Sequence, residues 1–111
     1  MKTALILLFS VAQLPGAALR AGVARIDITP RGSIRMSGYA SRNHASVAVR
    51  QPLWARALTV EDGARARTAI VATDLIGLPA EVADQVAARA RRQFGIERAR
   101  LLLNSSHTAR R

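Results

Sequence analysis

A change of hydrophobic period near residue 74 constrains this chain more than any other feature. Residues 67–73 (RTAIVAT) form a nearly continuous apolar run, the pattern of a strand. Beyond Asp74, the residues Val82, Val86, Ala90 and Phe94 recur at helical spacing. Pro79 stands where a first helical turn tolerates it, Glu81 complements the positive helix end, and Arg89, Arg91 and Arg92 crowd the negative end before Gly95. Residues 100–105 (RLLLNS) then read as a buried strand. Strand, helix, strand is a βαβ unit, and its right-handed crossover lays the two strands parallel. Parallel neighbours end on the same sheet edge, so Asp74 and His107, each just past a strand, are expected together at the carboxyl edge. Open α/β sheets place ligands there.

Upstream, residues 23–29 alternate branched apolar with polar side chains and stop at Pro30, the pattern of a short strand. Residues 53–60 are strand-like, and Glu61-Asp62-Gly63 marks a turn before the run at 67–73, which makes a hairpin. Between them, residues 30–52 carry two prolines, two glycines and several serines without periodicity, a long irregular segment of the kind that is usually functional or packed against something else. The expected fold is therefore α/β, a partial mixed sheet with an N-terminal hairpin region and one βαβ unit.

Residues 1–21 (MKTALILLFSVAQLPGAALRA) have the layout of a signal peptide: Lys2, a short apolar run, a Pro15-Gly16 break and small residues for a cut near 18 or 21. The run is too short for a membrane span, which needs roughly 20 apolar residues. The expectation is a secreted or periplasmic protein whose remaining part is residues 22–111. Zero cysteines exclude a disulfide framework and a thiol nucleophile.

The 111 residues carry a formal net charge of +10, which suits an anionic membrane face or nucleic acid. The composition tempers that reading. Of the 17 basic residues 16 are Arg, and 22 residues are Ala, a pattern that GC-rich coding produces by itself. The few aromatics, Phe9, Tyr39, Trp54 and Phe94, do not interleave with arginines as a single-strand groove requires. No nucleic acid is expected as partner.

Phosphate-binding loops, dinucleotide fingerprints, zincin helices and nucleophile elbows are all absent from the sequence. His107 stands where a metal ligand would follow a strand, or is an ordinary hydrogen-bonded residue. One imidazole does not make a catalytic zinc site, which takes three protein ligands. Asp74 is a carboxylate aimed at a ligand or a turn residue holding backbone N–H groups. Ser105, Ser106 and His107 are adjacent, and neighbours at a strand end point opposite ways, which argues against a nucleophile and base pair. Asn104-Ser105-Ser106 matches a glycosylation sequon, but its Asn falls in a strand expected to be buried. His44, in the irregular segment, is expected to be solvated.

Five segments in order carry a resemblance: GVARIDITP at 22–30, Gly38-Tyr39, PLWARAL at 52–58, TDLIG at 73–77, and LNSSHT at 103–108. Together they resemble the N-terminal domain of neutral/alkaline non-lysosomal ceramidases. The resemblance implies a zinc-dependent amidase that cleaves ceramide or a related N-acyl lipid to sphingosine and a fatty acid, in association with a membrane surface. It implies that His107 is a zinc ligand and that the backbone carbonyl of Arg50 stands at the family's calcium position. The family's second histidine would fall on Ala109, where the chain instead runs Ala109-Arg110-Arg111. That departure is what an early stop or shifted frame produces, so an incomplete part of a larger ceramidase-like domain is expected, inactive alone and unable to hold zinc tightly. Two rivals are a small exported basic module that binds anionic lipid or nucleic acid, and a half-enzyme complemented by a separate chain.

Overall fold

The computed structural model describes residues 18–37 and 41–107. Its elements are β1 (Arg20–Asp27), β2 (Trp54–Glu61), β3 (Arg67–Thr73), α1 (Ala80–Phe94), a single 3-10 turn (Arg98–Arg100) and β4 (Leu101–Ser105). The strands form one mixed sheet in the order β1-β2-β3-β4, with β1, β2 and β3 antiparallel in turn and β4 parallel to β3. This is a partial α/β fold, a meander joined to one βαβ unit, as the hydrophobic pattern predicts.

The strand limits differ from the sequence reading at β1, which runs over 20–27 rather than 23–29. All eight of its residues pair with β2, from Arg20 opposite Glu61 to Asp27 opposite Trp54. The chain leaves the ladder afterwards because Asp27 Oδ1 accepts the Thr29 N–H at 2.8 Å, while Thr29 Oγ1 accepts the Leu53 N–H at 2.8 Å. At the β2–β3 turn, Asp62 Oδ1 accepts the N–H groups of Ala64 and Ala66, both at 2.9 Å. The left-handed residue there is Arg65, φ 63°, rather than Gly63.

Residues 28–37 and 41–53 contain no helix or strand. Ser46 ties this segment together: its N–H donates to the Ile34 carbonyl at 2.8 Å and its hydroxyl accepts the Ile34 N–H at 3.1 Å. Gly38-Tyr39, most of the signal-peptide segment (residues 1–17) and Thr108 to the end lie outside the described residues. No helix among the described residues is long and apolar enough to cross a membrane.

Helix α1 begins one residue after Pro79, whose carbonyl accepts the Ala83 N–H at 3.0 Å. It ends at Gly95, φ 65°, with the Gly95 N–H on the Arg91 carbonyl and the Ile96 N–H on the Ala90 carbonyl. A side chain at Gly95 would meet no atom within 4 Å, so a substitution there costs backbone conformation alone. Gly95→Ala is expected to destabilise the chain by about 1 kcal/mol, read as a lowered urea midpoint with unchanged slope.

One small core lies between α1 and the parallel pair. Ala69, Ala87, Ile96 and Leu101 are buried, with Val71, Val86, Ala90 and Leu103 packed against them. The predicted helical stripe packs only through its middle, where Val86 and Ala90 are half-buried, since Val82 and Phe94 at its two ends are exposed. The expectation that β4 is buried throughout also fails, because no described residue covers one sheet face there: Leu102 and Asn104 are exposed. The sequon asparagine is thus on the surface.

At the far end of the sheet Glu61 accepts the Arg67 Nε–H at 2.7 Å, and Arg20 lies 3.8 Å away. The Arg67 hydrogen bond holds the Glu61 carboxyl below its ordinary value of 4.5. A carboxyl whose folded value is depressed adds stability above its unfolded value, and that contribution fades as pH falls through the folded one. The urea midpoint is therefore expected to hold from neutral pH to near 4.5 and to fall below it. Replacing Arg67 with Gln should flatten that decline; an unchanged acid profile would remove Glu61 as its source.

Candidate functional site

The carboxyl edge of β3 and β4 brings the candidate residues together. Past the last ladder pair, Thr73 opposite Ser105, the Ser106 N–H donates to the Thr73 carbonyl and the His107 N–H to the Leu75 carbonyl, both at 2.9 Å. His107 is thereby bonded to the residue that follows Asp74. The topology predicts this juxtaposition, and the structure has it.

The two side chains are engaged differently. Asp74 is tied inward to β2: its Oδ2 accepts the Trp54 N–H at 3.0 Å, and Arg56 Nη1 donates to both carboxylate oxygens at 3.0 and 3.1 Å. Its own N–H donates to the Trp54 carbonyl at 2.9 Å. The Asp74 carboxylate holds a neighbouring strand, a role that neither the ligand reading nor the local turn reading describes. His107 is exposed, and its backbone is left-handed at φ 57°. Non-glycine residues adopt that conformation at a cost of about 1 kcal/mol or more, and such residues cluster at functional sites.

The hydroxyls of Ser105 and Ser106 both bond to Thr73. The Ser105 hydroxyl meets the Thr73 hydroxyl at 3.2 Å, and the Ser106 hydroxyl donates to the Thr73 carbonyl at 3.2 Å. Thr73, buried at this end, also donates to the Asn104 carbonyl at 3.4 Å. Thr73, Trp54 and Arg56 lie in the segments that carry the resemblance, but the sequence gives no sign of their part in holding this edge. A threonine closing an apolar run and an arginine on the adjacent strand carry no signal until the strands are paired.

Arg50 is exposed near the end of the irregular segment, on the wall of a cavity of about 370 Å³. Ile34, Met36, Val47 and Leu53 supply apolar walls, with Arg42 and His44 beside them. His44 is exposed, with Nδ1 2.8 Å from the Ala45 carbonyl. Among the described residues no three of His, Cys, Asp and Glu gather where they would hold a metal ion. His107 is a single donor, and these residues do not by themselves fit a zinc centre.

No family model matches the chain, and no curated protein sequence does either. Solved structures do. A neutral ceramidase from Pseudomonas aeruginosa matches 82% of this chain at 27% identity with a TM-score of 0.71. A ceramidase complexed with C2 matches the same share at 28% identity, again with a TM-score of 0.71. The chain spans 15% of the length of each. The chain is similar to these ceramidases over that share, and its mixed sheet with one helix is a partial α/β fold that matches a fragment of a ceramidase domain.

Proposed function

We propose that this chain is the amino-terminal part of an exported hydrolase that cleaves the N-acyl bond of ceramide or a related N-acyl lipid. In that reaction the oxygen of water joins the acyl carbon, the carbon–nitrogen bond breaks, and the amine leaves with a proton. One observation carries the reading: His107 follows a parallel strand at the carboxyl edge, in a fold with a TM-score of 0.71 to a neutral ceramidase.

The reading assigns His107 one position among the ligands of a zinc centre whose other donors lie outside the described residues. It assigns Asp74 to the frame that holds the His107 segment, through Leu75 on one side and β2 on the other. It assigns no hydrolysis to this chain alone. Export by residues 1–21, to the periplasm or the exterior, belongs to the same proposal and rests on the signal-peptide layout.

The test replaces the matching region of the Pseudomonas aeruginosa enzyme with residues 20–107 of this chain. The folded chimera is expected to hydrolyse ceramide, and His107→Ala to lower kcat/KM by a factor of about 100 or more, the scale on which losing a key polar group acts. A folded chimera without turnover, or one indifferent to His107→Ala, would overturn the reading.

A further inference from the structure

His107 holds a conformation that its own side chain disfavours. At φ 57° its Cβ crowds the neighbouring backbone, and a left-handed residue of this kind persists only where the surrounding structure over-determines it. The bonds that fix the path into His107 all come from the end of β3, and most come from Thr73.

The Thr73 carbonyl accepts two donors from Ser106, the N–H at 2.9 Å and the hydroxyl at 3.2 Å. The Thr73 hydroxyl meets the Ser105 hydroxyl at 3.2 Å and donates to the Asn104 carbonyl at 3.4 Å. One arrangement of protons satisfies both hydroxyls: Ser105 donates to Thr73, and Thr73 donates to Asn104. The Leu75 carbonyl then takes the His107 N–H, so residues 104 to 107 are held in turn. Thr73 is 6% exposed, and water does not compete for these bonds. Its side chain continues the face of Ala69 and Val71, which belong to the core beneath α1. Valine would fill such a place as well. A hydroxyl buried there is costly unless it is bonded, so what sets threonine apart is the bonds it makes to β4.

We infer that Thr73 is a positioning residue for His107, acting through its hydroxyl on Asn104 and Ser105, an inference that rests on the proposed function. With residues 104 to 106 fixed and the His107 N–H held, rotation about the N–Cα bond of His107 alone sets the direction of its Cβ. Thr73 serves β4 in this way, whereas Asp74 ties the same edge to β2. A displacement of about 1 Å at a working group is enough to cost about 100-fold in rate.

Two variants separate the hydroxyl from the shape. Thr73→Val keeps the branched side chain without the hydroxyl, and Thr73→Ser keeps the hydroxyl. In the chimera with the Pseudomonas aeruginosa enzyme, Thr73→Val is expected to lower kcat at least about tenfold with KM within about twofold, and Thr73→Ser to hold kcat within about threefold. The 111-residue chain gives a readout that needs no turnover. The nuclear Overhauser effect between the His107 N–H and its own Hα, strong at positive φ, should lose about half its intensity or more in Thr73→Val and keep it in Thr73→Ser. Amide protection at Ala69 and Val71 should change by less than about threefold in both. An unchanged His107 signal in Thr73→Val overturns the inference. So does a loss that Thr73→Ser shares, or a fall in kcat that only follows lost protection at Ala69 and Val71. A His107 signal that depends on the hydroxyl, in a chimera without turnover, sinks the proposed function and leaves the positioning role. Turnover that needs His107 but ignores Thr73→Val does the reverse.

Discussion

Leu101→Ala is expected to cost the isolated chain about 2 to 5 kcal/mol, whereas Leu102→Ala, one residue on, is expected to change stability by no more than about 0.5 kcal/mol. Leu101 is 6% exposed and joins Ala69, Ala87 and Ile96 in the core. Two of those neighbours are alanines, so little side-chain volume can collapse into the space that truncation opens. Leucine-to-alanine changes in such sites cost about 2 to 5 kcal/mol. Small domains sit near the lower end of the usual 5 to 15 kcal/mol, so a loss of that size consumes much of the total. Leu102 points to the opposite face and is 58% exposed. Urea titrations followed by circular dichroism would read the contrast. Equal losses at both positions would show that α1 does not pack on β4 as described.

Asp74→Ala is expected to cost about 2 kcal/mol and to act at the carboxyl edge first. Its carboxylate is largely shielded, with the side chain 19% exposed, and it accepts the Trp54 N–H. Hydrogen bonds to charged groups contribute about 1.5 to 3 kcal/mol. The Arg56 contact adds less, because that guanidinium is 52% exposed and solvent screens it. Asp74→Asn keeps an oxygen for the Trp54 N–H and should lose about half as much. Amide exchange locates the effect: Trp54 and His107 should lose protection before Ala69 and Val71, since the His107 N–H hangs on the Leu75 carbonyl. Uniform loss across the sheet would mean that Asp74 supports the whole fold rather than the edge.

Much of the architecture was legible because its signals are local. The helical spacing from Val82 to Phe94, the glycine after it and the apolar runs on either side define a βαβ unit without any knowledge of contacts. From that topology alone Asp74 and His107 meet at one edge. The site was less legible. The carboxylate of Asp74 is spent on β2, and its partners, Trp54 and Arg56, lie 20 and 18 residues away. Nothing in the chain near Asp74 points to them.

Periodicity within one element thus determined the order of strands and helix, the crossover and the shared edge, since these follow from which side chains must avoid water locally. The tertiary structure alone decided which apolar residues do so. β3 and β4 both read as apolar runs, but α1 covers only one of their faces, so Leu101 is buried and Leu102 is not. The physical reason is that a strand exposes alternate side chains to two surroundings. What occupies each surrounding is a property of the assembled layers.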